Sequence, residues 1–422
     1  MVYSKIISWE DMEFTVHNAI LDQNPDTVDI GVKDGLIVEI SNTPLNHGDR
    51  SIDAKGGLVV PPFFESHFHL DNTLLQGGVN HSGTLREAIA LYAEKKRVMT
   101  VDDITSRASE TLRLCLANGV CYLRSHVDID VIGQLKLLEG VKRAKDEFAG
   151  IVDVQIIAFP QMGLVNDPET VDLMYAAMEK GADIVGGIPH FEKDMDDAGR
   201  HIEMVFEIAK KYDVDIDMHV DEVDDPAWKS VELLAEKTIQ EGYQGRVSAG
   251  HCCSMAAWNE EDFERILPKI KEADLNIITN PLTNLFGQGH QDARPIRRGV
   301  PPLDVLFEAG INVASATDDM HNMFYPFGNM NPLEVVNFSA HLGQLTTPGL
   351  IEKAFRMPLD NAAKVFRIDP YGVKLGNSAD LVLLPVENMV DAIRFHPTPT
   401  FVIRSGEILV ETEQSQIFNL TV

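Results

Sequence analysis

Short apolar runs alternate with amphipathic stretches through the middle of the chain. The runs lie near Leu58–Phe64, Val120–His126, Val152–Phe159, Ala182–Ile188, Val214–His219, Arg246–His251, Leu275–Asn280 and Ile311–Ala316. Short, continuously apolar runs are the mark of strands buried on both faces. Between them, Thr170–Lys180, Ala198–Lys211, Lys229–Gln240 and Glu260–Glu272 carry helical periodicity. A strand–helix order repeated about eight times predicts a parallel sheet, and eight units predict an α/β fold of the closed (β/α)8 TIM-like barrel type rather than an open sheet.

The two ends of the chain read differently. Thr27–Val32 and Leu36–Ile40 flank the turn Lys33-Asp34-Gly35, a hairpin signal. Asp380–Leu384 reads as a strand, and Thr400–Arg404 turns at Ser405-Gly406 into Glu407–Val410. Each β-rich end is too small to fold separately, so the two are expected to pair.

Charge and cysteine content narrow the function class. The chain has 422 residues, with Lys+Arg 36 against Asp+Glu 65, a formal net charge of −29. That balance argues against nucleic acid polymers and anionic membrane surfaces as partners. No apolar run approaches the roughly 18 residues of a membrane span. Met1–Trp9 carries one Lys and no apolar core, so no signal peptide is expected. Cys115, Cys121, Cys252 and Cys253 form no C-x-x-C pair or disulfide framework. A cytoplasmic protein is expected. Cys252 and Cys253 read as packing residues, and Met174 and Met178 as helix core. Lys95-Lys96-Arg97 and Asp194–Asp197 read as solvated surface.

In a (β/α)8 barrel, chemistry sits at the C-terminal ends of the strands. The first run is followed by His67 and His69, two apart and therefore on one side of an extended strand. The fifth run ends in His219, the sixth in His251, and the eighth is followed by Asp318 and Asp319. Buried polar groups at four strand ends are costly unless paired or bound to metal, so the pattern predicts a metal site.

These residues resemble the amidohydrolase superfamily, whose fold is a (β/α)8 barrel with a β-sandwich built from both chain ends. The resemblance implies a sandwich domain from residues 1–56 plus 370–422 and a metal-dependent barrel over 57–369. Within the superfamily the chain resembles the cytosine deaminases. The matching stretches are Phe64-Glu65-Ser66-His67-Phe68-His69-Leu70-Asp71, Ser82-Gly83-Thr84-Leu85, Ala158-Phe159-Pro160-Gln161 and Ile188-Pro189-His190-Phe191-Glu192. They continue through His219-Val220-Asp221-Glu222 with Asp224-Asp225, Gly250-His251, Asn280-Pro281-Leu282, Arg297-Arg298-Gly299 and Asp318-Asp319.

The resemblance implies one divalent ion, zinc or iron(II), bound by His67, His69, His219 and Asp318. Binuclear relatives bridge two ions with a Lys at the end of strand four; here Lys193 lies past that place and His190 ends the strand. Glu222, His251 and Asp318 would be catalytic, with Glu222 moving protons and the other two orienting water. Gln161, Asp319 and Phe324 would face the substrate, an amino-pyrimidine or related amino-azine. His126 and His190 would support the site without ligating. The expected assembly is a homo-oligomer. Four positions depart from the family: Thr317 replaces a His, Phe324 takes the place of a Trp, and His321 and Asn322 also differ. These bear on which ring is accepted. The chain is also similar to the isopropylammelide amidohydrolases of triazine breakdown, which share the ligand pattern. A non-catalytic scaffold relative would have a broken ligand set, and every ligand position here is filled.

Overall fold

Pro61 and Pro62 divide the first apolar run. Proline cannot donate to a sheet ladder, so the run becomes two strands rather than the single Leu58–Phe64 strand expected. The computed structural model describes residues 13–22, 24–45, 50–75, 80–415 and 417. Before the prolines come β1 (Phe14–Leu21), β2 (Asn24–Lys33), β3 (Leu36–Ser41), β4 (Arg50–Asp53) and β5 (Leu58–Val60). After them come β6 (Phe63–Phe68), β7 (Val120–Asp128), β8 (Asp153–Phe159) and β9 (Ile184–Gly187). Next are β10 (Ile216–Val220), β11 (Val247–His251), β12 (Asn276–Thr279) and β13 (Asn312–Ser315), and last β14 (Leu381–Leu384), β15 (Phe401–Arg404) and β16 (Glu407–Glu411).

The chain divides into two compact units: residues 1–62, 116–119 and 369–422 in one, and residues 63–115 and 120–368 in the other. The first holds a mainly antiparallel sheet in the order β16-β15-β14-β5-β1-β2-β3, with β4 paired to β1. Both chain ends therefore share one sheet. Asp34 and Gly35 have φ of 51° and 70°, the left-handed pair that a two-residue hairpin turn needs. Val16, Ile30, Ile37, Leu381 and Ile403 pack in one cluster, so strands from opposite ends of the sheet order cover a common core. Asp29 is the polar anchor of this unit. Its carboxylate accepts from the backbone N–H groups of Asn18 (3.0 Å) and Leu45 (2.9 Å) and lies 2.7 Å from His17 Nδ1.

The second unit is the parallel barrel, in the order β13-β12-β11-β10-β9-β8-β7-β6. At least one helix follows each strand. The helices Glu169–Glu179, Met195–Tyr212, Ser230–Glu241 and Glu260–Glu272 lie where periodicity placed them. The ring closes where the Asp318 N–H donates to the His67 carbonyl at 2.9 Å, beside a parallel bridge from Phe68 to Asp318. The Glu65 carboxylate reinforces the closure by accepting from the Thr317 N–H at 3.0 and 3.1 Å.

Alternate residues of each strand enter the barrel interior. Arg124 is 1% exposed and crosses that interior. It donates to Gln155 Oε1 (2.8 Å), to Asp217 Oδ2 (2.9 Å) and to the Val365 carbonyl (2.7 Å). β7 and β10 are not neighbours in the sheet, so this ion pair braces opposite walls. His126 and His219 are the next inward residues on the same two strands.

Two surface expectations are corrected. Lys96 is 2% exposed and ion-paired with Asp128 and Asp130. It shares a helix face with Ala88, Ile89 and Tyr92, so helical phase carries it inward despite its charged neighbours. Asp194 caps the helix Met195–Tyr212 by accepting from the Asp197 N–H, and Asp197 is itself buried. Met174, Met178, Cys252 and Cys253 are buried. Among the described residues, no helix is long and apolar enough to cross a membrane.

Two stability predictions follow from these anchors. Arg124→Ala leaves Asp217 as an unpaired buried charge and should cost about 3–5 kcal/mol in chemical denaturation. Burial pushes the Asp29 carboxyl up, but the Leu45 N–H, His17 and the Asn18 N–H together hold it below the usual carboxylate range. Its contribution is therefore complete above about pH 4 and lost as pH falls through the lower folded value. Asp29→Asn should flatten the stability–pH slope below about pH 4, read from denaturation midpoints across acid pH.

Candidate active site

The C-terminal rim of the barrel gathers the residues that the strand ends singled out. β6 brings His67, and the chain just beyond it brings His69. β10 brings His219, β11 ends in His251, and the turn after β13 brings Asp318. The His219 Nε2 atom lies 3.2 Å from His67 Nε2 and 3.1 Å from His69 Nε2. Asp318 Oδ1 is 3.5 Å from each of those two nitrogens. One atom from each of the four residues falls within a common 4.8 Å span, and all four residues are buried.

This geometry fits a cation. A single ring N–H on His219 cannot serve two facing nitrogens, so hydrogen bonding alone leaves lone pairs opposed. Nitrogens about 2.0–2.1 Å from a tetrahedral zinc stand roughly 3.3 Å from one another, close to the spacing here. The His67 and His219 rings are also in the ligating form. Burial lowers His67 to about 4 and holds His219 well below the usual imidazole range, with neighbouring imidazoles adding to the effect on His219. Neutral imidazole is the metal-binding species. The His67 Nδ1 atom lies 3.1 Å from His126 Nε2, which fixes the orientation of the His67 ring. The Phe159 ring stacks on His219 with centroids 4.1 Å apart. His126 and His190 are both buried and lie outside the four-residue group.

Glu222 and His251 stand beside this group. His251 Nδ1 is 3.5 Å from Glu222 Oε1 and 4.0 Å from Asp318 Oδ2. The Asn284 amide donates to His251 Nδ1 (3.0 Å) and to Glu222 Oε1 (3.3 Å), holding the two side chains together. Burial, with the nearby Asp318 and Asp319 carboxylates, pushes Glu222 well above the usual carboxyl range. Burial likewise raises Asp318 and Asp319 to about 7, and a bound cation would oppose that rise at Asp318. His251 and Asp318 have φ of 69° and 73°. Left-handed residues of this kind, at two strand ends aimed at one site, store strain where function is found.

The surrounding loops are tied down. Asp221 accepts from the Ser230 N–H (3.0 Å), the Ser230 hydroxyl (2.5 Å) and the Val231 N–H (3.1 Å), so it anchors the loop bearing Glu222 to a helix N-terminus. Asn322 donates to Asp319 Oδ1 (2.6 Å) and accepts from the Phe324 and Tyr325 N–H groups (both 2.9 Å). The pocket above includes, with its open mouth, about 660 Å3 of unfilled space. His69, His219, Asp318, Glu222, His251, Gln161, Asp319 and Phe324 all line it. Thr84, Leu85, Ala88 and Ile89, from the start of the helix Leu85–Val98, form part of its wall.

Several working residues were not singled out from the sequence. Asn284 is four positions after Asn280, on one helix face, and that spacing was the available signal. Glu65 precedes His67 by two and so shares its inward side. Arg124 and Asp217 had no local signal, because they meet only across the barrel.

Comparison with known proteins identifies the family of this fold. The sequence model of the amidohydrolase family matches residues 50–154 and 152–410. The structure of 5-methylcytosine deaminase from Klebsiella pneumoniae, liganded with 5-fluorocytosine, superposes with a TM-score of 0.92 at 33% identity, covering 96% of this chain and 99% of that one. N-isopropylammelide isopropyl amidohydrolase from Pseudomonas sp. strain ADP is 28% identical over 96% of this chain and 98% of its own length. Pterin deaminase from Rhizobium rhizogenes is 27% identical over 90% of this chain and 87% of its own. The chain belongs to the amidohydrolase family and is a hydrolase acting on C–N bonds.

The ligand geometry predicts that His219→Ala lowers metal content to near zero after dialysis, measured by elemental analysis. His126→Phe should instead weaken metal affinity about 10–100-fold, read by chelator competition, because it removes only the support of His67.

Proposed function

We propose that this amidohydrolase is a metal-dependent deaminase of cytosine or 5-methylcytosine, releasing ammonia. The observation that carries the reading is a buried carboxyl, Glu222, 3.5 Å from His251 and beside the His67–His69–His219–Asp318 group, in a pocket that also presents the Gln161 amide. The full-length likeness to 5-methylcytosine deaminase supports it.

One divalent ion, zinc or iron(II), held by His67, His69, His219 and Asp318 would supply Lewis acidity and a nucleophilic water near neutral pH. Asp318 turns Oδ1 toward the imidazoles and Oδ2 toward His251. The first oxygen would help hold the ion, and the second is placed to accept the proton of the attacking water while His251 orients it. Glu222 gives its proton to the ring nitrogen beside the amino-bearing carbon, which makes that carbon electrophilic. A C–O bond forms and the C–N bond to the amino group breaks; the leaving nitrogen takes the proton held by Asp318 and departs as ammonia, and the new hydroxyl returns its proton to Glu222 as it becomes the ring carbonyl. Gln161 both donates and accepts, so one amide can read the ring carbonyl and its adjacent N–H. Phe324 is smaller than the Trp of the cytosine deaminases and leaves room at the ring edge for a methyl group. A methyl's worth of pocket space changes preference by roughly 10–200-fold.

Ammonia release should be assayed on cytosine, 5-methylcytosine, isocytosine, isoguanine, creatinine and amino-triazines, with N-isopropylammelide tested for isopropylamine. Ammonia from cytosine or 5-methylcytosine is the expected result. Isopropylamine without either reaction would assign the enzyme to triazines. Glu222→Gln should keep its metal and lose about 10²–10⁴-fold in turnover; an unchanged rate removes Glu222 from proton transfer.

A further inference from the structure

A second buried pair lies outside the chemistry just described. Glu192 follows β9, and His201 lies on the helix Met195–Tyr212; they are 4% and 0% exposed. His201 Nδ1 is 2.7 Å from Glu192 Oε1, and its Nε2 accepts from the Ile188 N–H at 3.0 Å. The ring is therefore neutral, with its one proton directed at the carboxylate. Glu192 in turn accepts three consecutive backbone N–H groups from the loop after β8. Leu164 (2.7 Å) and Val165 (3.0 Å) donate to Oε1, and Asn166 (2.8 Å) donates to Oε2. Three amides turned onto one anion form a nest that holds backbone in a fixed curve.

The surrounding chain is shaped to admit this pair. Gly163 has φ of +84°, and a Cβ there would lie 2.6 Å from Glu192 Oε1. A Cβ on Gly187 would lie 2.8 Å from His201 Nε2. The loop so held carries Gln161. The Gly163 N–H closes a turn onto the Pro160 carbonyl at 2.9 Å, with Gln161 and Met162 at its tip. The nest begins at the next residue. Ile188, whose N–H is bound by His201, lines the same pocket as Gln161.

We propose that Glu192 and His201 are positioning residues that set the Gln161 amide against the substrate ring, acting through the 163–166 backbone and without touching substrate. This deepens the deaminase reading and rests on Gln161 as the group that recognises the ring. Exchange of one carboxylate oxygen for an amide nitrogen removes an acceptor that the nest requires, with almost no change in volume.

The test is a double-mutant cycle on the metal-loaded enzyme. Glu192→Gln should lower kcat/KM about 10–100-fold with unchanged metal content, the range expected for about 1 Å of misplacement. In a Gln161→Ala background the same substitution should cost less than about 2-fold, since its target is gone. An equal loss in both backgrounds overturns the proposal in favour of general structural damage. Should Glu192→Gln fail to fold, His201→Gln leaves the carboxylate in place and carries the same cycle. Hydrogen exchange supplies a readout independent of turnover: the Leu164, Val165 and Asn166 amides should lose protection in Glu192→Gln, and unchanged protection overturns the nest. If no ring is deaminated, 5-fluorocytosine affinity by calorimetry carries the cycle. If no ring is bound either, the deaminase reading fails, and amide exchange alone decides the clamp.

Discussion

The hydrogen bond from the Asp318 N–H to the His67 carbonyl does two things at once. It closes the barrel between β13 and β6, and it delivers the Asp318 carboxylate to the imidazoles of His67 and His69. Barrel closure and site assembly are therefore one event. The Glu65 carboxylate protects that seam by accepting the Thr317 and His67 N–H groups on either side of it. Burial raises Glu65 to about 8, so the group at the seam is held in a dry environment where unpaired backbone amides would be expensive.

Depth in the barrel then sorts the polar groups by charge state. Lowest is the Arg124–Asp217 ion pair, which braces opposite walls. Above it the imidazoles are kept neutral by desolvation and are free to offer lone pairs. Higher still, carboxyl groups crowd one another, and burial and mutual repulsion push Glu222 well above the usual carboxyl range. The same low dielectric thus places neutral imidazoles and carboxyl groups of raised pKa within a few ångströms of one another.

The loops above the site use a single device repeatedly. One buried polar side chain gathers several groups of a neighbouring segment. Asp221 does this for the Glu222 loop, Glu192 for the Gln161 loop, and Asn322 for the segment bearing Asp319 and Phe324. Lys96 and Tyr92 do it for the helix whose start forms a pocket wall, through Asp128, Asp130 and Asp71. Such anchors fix the backbone of the loops that line the pocket.

The sequence was sufficient wherever meaning is local. Eight apolar runs with helices between them imply the barrel, because burial on both faces writes itself into composition. His67-x-His69, His219, His251 and Asp318 announce themselves because the functional rim of such a barrel lies at its strand ends. Sequence could not reach what depends on contacts across the fold. Arg124 and Asp217 lie three strands apart in the barrel, and Glu192 reaches a loop more than 25 positions away. Lys96 looked like surface because charge dominates a local reading, whereas helical phase and two distant aspartates decide its place. Pro61 and Pro62 mark the intermediate case: their effect on pairing is local, but which sheet each half of the run joins is settled only when the strands from both chain ends meet. Tertiary structure decided these points because desolvation acts on assembled neighbours, and no single segment carries its own dielectric.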